Sequence, residues 1–140
     1  MKVFNRNDLK FIRNYANVYN LTSFHCVYFK SDLKYNIDIL IAYLLTDVAK
    51  DIFEDNMRVY GDGLKKYEPN DLNNGLVIDL DVIDKNHENE ILKLLEKFKK
   101  LESYNKDTSM VKKELNDIFL TLLNTETLWF DNKGASIWKF

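Results

Sequence analysis

The 140-residue sequence lacks the features of several protein classes. It has one cysteine, Cys26, so an internal disulfide is excluded, which agrees with a reducing compartment. Its longest apolar run, IDILIAYLL, is about half the length of a membrane span and contains an aspartate. The first ten residues, MKVFNRNDLK, lack the apolar segment of a signal peptide. The sequence therefore predicts a cytoplasmic protein with no membrane partner.

Patterns for metal binding and catalysis are also missing. His25 and His87 have no partner at the spacing of metal ligands. His25 and Cys26 are neighbours in a predicted strand, so they point to opposite faces and cannot act together as base and nucleophile. The stretch DLDVID lacks the glycine and the downstream glutamate of an EF-hand, and GDGLKK lacks the spacing of a phosphate loop. We therefore predict no metal site and no catalytic residue.

Charge is unevenly distributed along a chain whose net charge is −2. Residues 1–30 carry five basic residues against one acid, a local net charge of +4. Residues 69–140 carry ten lysines and no arginine against thirteen acids. A basic first part and an acidic second part are compatible with one face that binds a polyanion, and equally with ordinary surface variation.

Apolar periodicity predicts strands and one helix in the first part of the chain. The stretch SFHCVYFK, residues 23–30, alternates and is rich in aromatic and β-branched residues, which is typical of a strand. Apolar residues at helical spacing over residues 37–52 predict one helix of about four turns, with Asn36 or Asp38 as its cap. The stretches MRVYG and GLKKYEP then predict two short strands around GDG.

Two more helices are predicted after residue 86. The apolar stripe of the first contains Ile91, Leu94, Leu95, Phe98 and Leu101. The stripe of the second contains Met110, Val111, Leu115, Ile118, Phe119, Leu122 and Leu123. The short connection SYNKD predicts that the two helices pack as an antiparallel pair. The tail TETLWFDNKGASIWKF is too apolar to remain free, so we expect it to dock.

These patterns predict an α+β fold: short antiparallel strands with a core helix, followed by an antiparallel helix pair. We expect residues 1–84 to form an α+β part and residues 85–140 a helical part with a docked aromatic tail. The length of the chain suits one compact domain that contains both parts.

The segment from Arg58 to Leu72 contains two of the four glycines and the only proline. Gly61 and Gly63 permit a tight turn with positive φ between the two short strands. Basic and aromatic residues then project from these strands: Arg58, Tyr60, Lys65 and Lys66. The residues alone are also compatible with an ordinary hairpin whose lysines are incidental.

The segment YGDGLKKYEPNDL resembles the late segment of adenine-specific (N6) DNA methyltransferases of restriction–modification systems. In that family, an aromatic residue, a glycine-rich turn, a leucine, a basic or aromatic pair and Glu-Pro lead into a helical turn of the target-recognition region. The upstream order of elements is similar, so the resemblance covers roughly residues 10–80. Leu45-Thr46-Asp47 departs from the family's frequent Leu-Asn-Ser, and Asp62 replaces a usual third glycine.

The resemblance implies a target-recognition portion without its own catalytic machinery. The family's catalytic Asn/Asp-Pro-Pro-Tyr/Phe motif needs two prolines, and this sequence has one. A Phe-x-Gly-x-Gly sequence for S-adenosylmethionine is also missing. We therefore expect no cofactor in this chain, and S-adenosylmethionine in a methyltransferase catalytic domain that is supplied in cis or in trans. The expected substrate partner is double-stranded DNA.

The resemblance and the residue types together nominate DNA-binding residues. Phosphate contacts are expected from three lysines: Lys10, Lys65 and Lys66. Base-edge contacts are expected from arginine and asparagine, which pair with guanine and adenine: Arg13, Asn14, Asn20 and Arg58. Stacking or wedging is expected of Tyr15 or Tyr60, and the turn glycines Gly61 and Gly63 complete the set.

The alternative is a protein-interaction or dimerisation module that does not bind DNA. The helix pair over residues 86–124 and the tail with Trp129 and Trp138 would form its hydrophobic surface and would support a homodimer. A small independent enzyme has little support, because no convergent set of acid, base and nucleophile can be named.

Overall fold

The computed structural model describes residues 11–16, 18–19, 28–29, 36–55, 57–61, 64–66, 78–80, 83–124 and 138–139. Its helices are α1 (Ile37–Leu44), α2 (Asp47–Asp55), α3 (Lys85–Ser103) and α4 (Ser109–Asn124). Its strands are β1 (Tyr28–Phe29), β2 (Arg58–Tyr60), β3 (Leu64–Lys66) and β4 (Trp138–Lys139). The described part is mostly helical and is compatible with the predicted α+β class. None of its helices combines the length and the apolar character that a membrane span needs.

The single helix predicted over residues 37–52 is wrong, because the chain forms two helices there with a break at Leu45 and Thr46. The Thr46 hydroxyl donates to the Tyr43 carbonyl at 2.6 Å and accepts from the Ala49 amide at 3.3 Å, so Thr46 caps the start of α2. The side-chain oxygen of Asn116 in α4 accepts from the Val48 amide at 3.1 Å. These bonds satisfy two of the amides at the new helix start.

Local capping residues set the other helix ends. Asn36 caps α1, since its side-chain oxygen accepts from the Asp38 amide at 3.0 Å. Asp84 caps α3 by accepting from the amides of residues 86 and 87 at 2.8 and 2.9 Å. After α3, Asn105 has φ of 51°, and the Lys106 amide donates to the Leu101 carbonyl at 2.9 Å. This left-handed residue turns the chain from α3 toward α4.

The two helices of the predicted pair, α3 and α4, pack side by side. The Lys97 amine lies 3.4 Å from a Glu114 carboxylate oxygen, and the Lys112 amine lies 5.8 Å from the centre of the Phe98 ring. These contacts join residues that are nearly equidistant from the turn at 104–108, which is the pattern of an antiparallel arrangement.

One cluster of buried apolar residues joins α1, α2, the 78–80 segment, α3 and α4. Tyr43 and Phe119 lie inside it, with ring centres 5.3 Å apart in an edge-on geometry. The predicted stripes of α3 and α4 are confirmed as buried or half-buried except at Met110, which is 67% exposed. The assignment of Met110 to the core is wrong because Val111 takes the inward position, and a helix turns about 100° per residue.

The two strand pairs are antiparallel. The predicted hairpin is confirmed, with the register Arg58 to Lys66, Val59 to Lys65 and Tyr60 to Leu64. The strand predicted over residues 23–30 is described at β1 alone, where it pairs with β4 near the C-terminus. The division at residue 84 stays a prediction, and the buried cluster draws on residues from both sides of it.

Candidate nucleic-acid interface

The ribbon formed by β2 and β3 presents an exposed strand. All three residues of β2 are exposed, and Val59 and Tyr60 keep 66% and 43% of their surface accessible. Because residues alternate along a strand, Arg58 and Tyr60 share one face and Val59 belongs to the other. The aromatic residue Tyr60 and the guanidinium-bearing residue Arg58 therefore share one face of a short ribbon.

The strand register places Lys65 and Lys66, both predicted to contact phosphates, on different faces of the ribbon. Lys66 lies opposite Arg58, whereas Lys65 lies opposite Val59. Directly paired residues of antiparallel strands belong to the same face of a ribbon. Position 66 therefore belongs to the face of Arg58 and Tyr60, and position 65 belongs to the opposite face.

Gly61 follows β2 at an exposed position. A Cβ atom added there would have no neighbour within 4 Å, and the residue does not use the left-handed φ range. The sequence-based reason for this glycine, a turn that needs positive φ, therefore does not apply at position 61. The second glycine of the turn, Gly63, lies outside the described residues.

A second group of candidate residues meets at Asp38, on the first turn of α1. The Arg13 Nη1 atom donates to Asp38 Oδ1 at 2.6 Å, and the Tyr15 hydroxyl donates to the same oxygen at 3.3 Å. The Arg13 guanidinium also lies over the Tyr15 ring, 4.3 Å from its centre. Lys99 of α3 places its amine 3.5 Å from Asp38 Oδ1. We call Arg13, Tyr15, Asp38 and Lys99 the Asp38 cluster.

The charges of the Asp38 cluster support one another. Partial burial raises the pKa of Asp38, but the hydrogen bond from Arg13 and the charges of Arg13 and Lys99 outweigh it and bring that pKa below its ordinary value. The hydrogen bond to Glu96 raises the pKa of Lys99, burial opposes that rise, and the Asp38 charge adds to it. Asp38 thus remains an anion that holds the segment 11–19 against α1 and α3.

Asn14 closes a turn within the same segment. Its Nδ2 atom donates to the Val18 carbonyl at 2.7 Å, and its Oδ1 atom accepts from the Val18 amide at 3.2 Å. Beyond this turn, Tyr19 is fully exposed, and Ile12, Tyr15 and Val18 are also largely exposed. The side-chain amide predicted to read a base therefore also fixes the shape of the loop that presents these residues.

The structure brings some of the predicted site residues together and leaves others undescribed. Arg13 and Tyr15 meet at Asp38, and Arg58, Tyr60 and position 66 share one face of the ribbon. Lys10 and Asn20 lie outside the described residues, as do the side chains of Lys65 and Lys66. No group of three metal-ligating side chains occurs in the parts of the chain that are described.

Sequence reasoning missed the two residues that organise the segment 11–19. The sequence predicts Asp38 only as a possible helix cap and gives Lys99 no role in a site. Their pairing with Arg13 joins three separate stretches of chain, and a periodic pattern carries no signal for it.

Comparison with known proteins identifies relatives of this chain. Residues 1–116 match the family described as "Type II methyltransferase M.Eco57I, C-terminal domain". The chain is 46% identical over 131 residues to the protein "Type II methyltransferase M.AccI" of Acinetobacter calcoaceticus. The match covers 92% of this chain and 24% of that protein, so the chain spans about a quarter of its relative's length. No solved structure matches the chain.

Proposed function

The chain belongs to the family of the C-terminal domain of the type II methyltransferase M.Eco57I, and from this premise we propose that it binds double-stranded DNA and helps to recognise the target of an N6-adenine methyltransferase. A catalytic domain, in cis or in trans, would bind S-adenosylmethionine. That domain would act on an adenine extruded from the duplex, while this chain holds the flanking DNA. The chain itself would carry no catalytic residue.

The exposed ribbon is the observation that carries this proposal. A two-stranded antiparallel ribbon has dimensions that the major groove of DNA admits. Arg58 is exposed on it, and an arginine can pair bidentately with guanine in that groove. Tyr60 on the same face offers a ring that can stack or wedge. The family match includes the whole ribbon, because it extends over residues 1–116.

The register supports different roles for the two lysines. Position 66 shares a face with Arg58, so a lysine there would reach a phosphate that flanks the bases read by Arg58. Position 65 belongs to the other face, so its contribution would be limited to the general positive potential. Gly61, which has open space around it, would let the DNA backbone approach the end of β2 closely.

The segment 11–19 would form a second contact. The hydrogen bond between Arg13 and Asp38 uses Nη1 of a guanidinium that has five N–H groups, so Arg13 is oriented and still has donors to offer to a base edge. Tyr15 is largely exposed beside it and could stack on a base. Lys10, Asn14 and Asn20 would add phosphate and base-edge contacts around this pair.

Fluorescence anisotropy with a labelled duplex, repeated over a salt series, tests the ribbon. Lys66→Ala should reduce the slope of log K against log salt by about 0.9, the value for one lost phosphate contact on duplex DNA. Lys65→Ala should change that slope less, and Lys50→Ala, an exposed control in α2, should leave it unchanged. Absence of salt-dependent binding by the wild-type chain would refute the proposal.

Arg58→Ala tests base reading separately from phosphate contact. On the sequence that the wild-type chain selects from a random duplex library, the variant should lose about 1–3 kcal/mol of affinity and should discriminate less at one base pair. On unselected duplexes its affinity should change far less. An equal loss on both kinds of duplex would mean that Arg58 contacts only phosphates.

Protein interaction is the second candidate function. Four large apolar or aromatic side chains within the segment 12–19 are largely exposed, and such a group is typical of a surface that contacts another protein. Sedimentation at low and high salt distinguishes the candidates. A salt-resistant dimer without affinity for DNA would favour an interaction module over a DNA-binding one.

A further inference from the structure

Helix α3 carries a line of lysines on its outer side. Lys93, Lys97 and Lys100 are separated by four and three residues, so they form one stripe along the helix, and all three are exposed. The buried residues of this helix, Ile91, Leu95 and Phe98, lie on its opposite side. We call these three residues the α3 lysine stripe.

The stripe lies in the most basic stretch of the second half of the chain. Residues 93–113 contain seven lysines against Glu96, Glu102 and Asp107, a local net charge of +4. The net charge of residues 69–140 as a whole is negative, although the net charge of this stretch within it is positive. Of the three lysines, Lys97 is engaged with Glu114 of α4 at 3.4 Å. The stretch therefore carries more positive than negative charge, and three of its lysines lie on the exposed side of α3.

Helix α3 is linked through Asp38 of α1 to the segment that is proposed to bind DNA. Lys99 and Arg13 meet at the same oxygen of Asp38, at 3.5 Å and 2.6 Å. Lys100 follows Lys99 directly and lies about 100° further around the helix. The α3 lysine stripe is therefore on the same helix as Lys99 but begins about 100° around it from the side at which Lys99 and Arg13 meet Asp38.

We propose that the α3 lysine stripe binds the phosphate backbone of duplex DNA beside the segment 11–19. This inference rests on the proposed function and extends it to a helix that contributes none of the predicted DNA-binding residues. Seven residues separate Lys93 from Lys100, which corresponds to about 10 Å along the helix. Phosphates on one DNA strand both rise along the duplex axis and wind around it, so a straight stripe of this length can follow a short run of one strand's backbone.

The test compares two double variants of the full 140-residue chain with the same change in charge. Lys93→Gln with Lys100→Gln removes the two ends of the stripe and leaves the pair between Lys97 and Glu114 intact. Lys50→Gln with Lys85→Gln removes two exposed lysines from α2 and from the first residue of α3. Glutamine keeps a helix propensity close to that of lysine, and circular dichroism checks that both variants fold.

Anisotropy with an unselected duplex over 50–200 mM salt gives the readout. Loss of two phosphate contacts should reduce the slope of log K against log salt by about 1.8, so across this fourfold range the wild type should lose about tenfold more affinity than the stripe variant. The control variant should keep the wild-type slope. An equal reduction in both variants would overturn the stripe as a site, because net charge alone would then explain the effect.

The same experiment separates this inference from the proposed function. An unchanged slope in the stripe variant, together with a reduced slope for Lys66→Ala, would overturn the α3 lysine stripe and leave the ribbon as the DNA contact. No binding by the wild-type chain at 50 mM salt would overturn both.

Discussion

Replacing Thr46 with valine removes a hydroxyl group from the break between α1 and α2 while keeping the shape of the side chain. Thr46 is 3% exposed, and its hydroxyl links the last turn of α1 to the first turn of α2 through Tyr43 and Ala49. Valine offers neither donor nor acceptor. The Ala49 amide would remain at a buried helix start without its cap.

The expected loss is about 1–2 kcal/mol in the free energy of unfolding. Loss of a threonine cap generally costs about 1 kcal/mol and at most about 2. An unsatisfied buried amide costs about 1–3 kcal/mol. Both figures describe the loss of the same hydrogen bond between Thr46 and Ala49, so they are not added. The bond from Asn116 to Val48 stays in place and limits the damage to one amide.

Urea unfolding followed by circular dichroism measures this loss. Thr46→Ser and Thr46→Ala form a second comparison, since their difference isolates the hydroxyl from the methyl group. Thr121→Val is the matched control: that hydroxyl donates to the Asp117 carbonyl at 2.9 Å on an exposed side of α4, so its removal should change stability by less than about 0.5 kcal/mol. If Thr46→Val also stays within 0.5 kcal/mol, the capping role is refuted.

Two further predictions concern Tyr43 and Asp38. Among the residues that the structure describes, the buried Tyr43 hydroxyl has no hydrogen-bond partner of ordinary geometry, and burial raises its pKa while the backbone of Ile78 opposes the rise only in part. Tyr43→Phe should therefore leave the free energy of unfolding unchanged or raise it by about 1 kcal/mol, and a clear loss in urea would show a missed partner. Because the pKa of Asp38 lies below its ordinary 3.8, its stabilising effect is present above pH 3.8 and is lost as pH falls through the lower folded value. The stability difference between wild type and Asp38→Asn should shrink accordingly in urea titrations between pH 6 and pH 2.5, and a constant difference would contradict this.

The hairpin and the helix pair could be predicted because short-range signals specify them. Glycines around Asp62 and alternating aromatic and basic residues indicate a turn between strands, and two apolar stripes separated by SYNKD indicate paired helices. The break at Thr46 could not be predicted in this way. The apolar spacing continues through it from Ile37 to Ile52, and the second cap comes from Asn116, 68 residues away from Val48. Periodicity reports which face is buried, not whether the helix is continuous.

The break also gives a physical reason for one departure from the family resemblance. Where that family often has Leu-Asn-Ser, this chain has Leu45-Thr46-Asp47. Asparagine and threonine are both preferred helix caps, because each carries a side-chain oxygen that accepts from an amide of the first turn. The substitution therefore keeps the chemical property that the structure uses at this position.

The two halves of the candidate interface are held in different ways, and this bears on how they would act. Backbone pairing between β2 and β3 fixes the register of the ribbon that carries Arg58 and Tyr60. The segment 11–19 is held by the Asp38 carboxylate, whose partners Arg13 and Lys99 are the kind of groups that phosphate attracts. A DNA phosphate near this cluster would compete with Asp38 for the same two cations. Phosphate binding at the segment 11–19 would thus compete with the contact that positions this segment, whereas a phosphate at the ribbon would leave the backbone pairing of β2 and β3 intact.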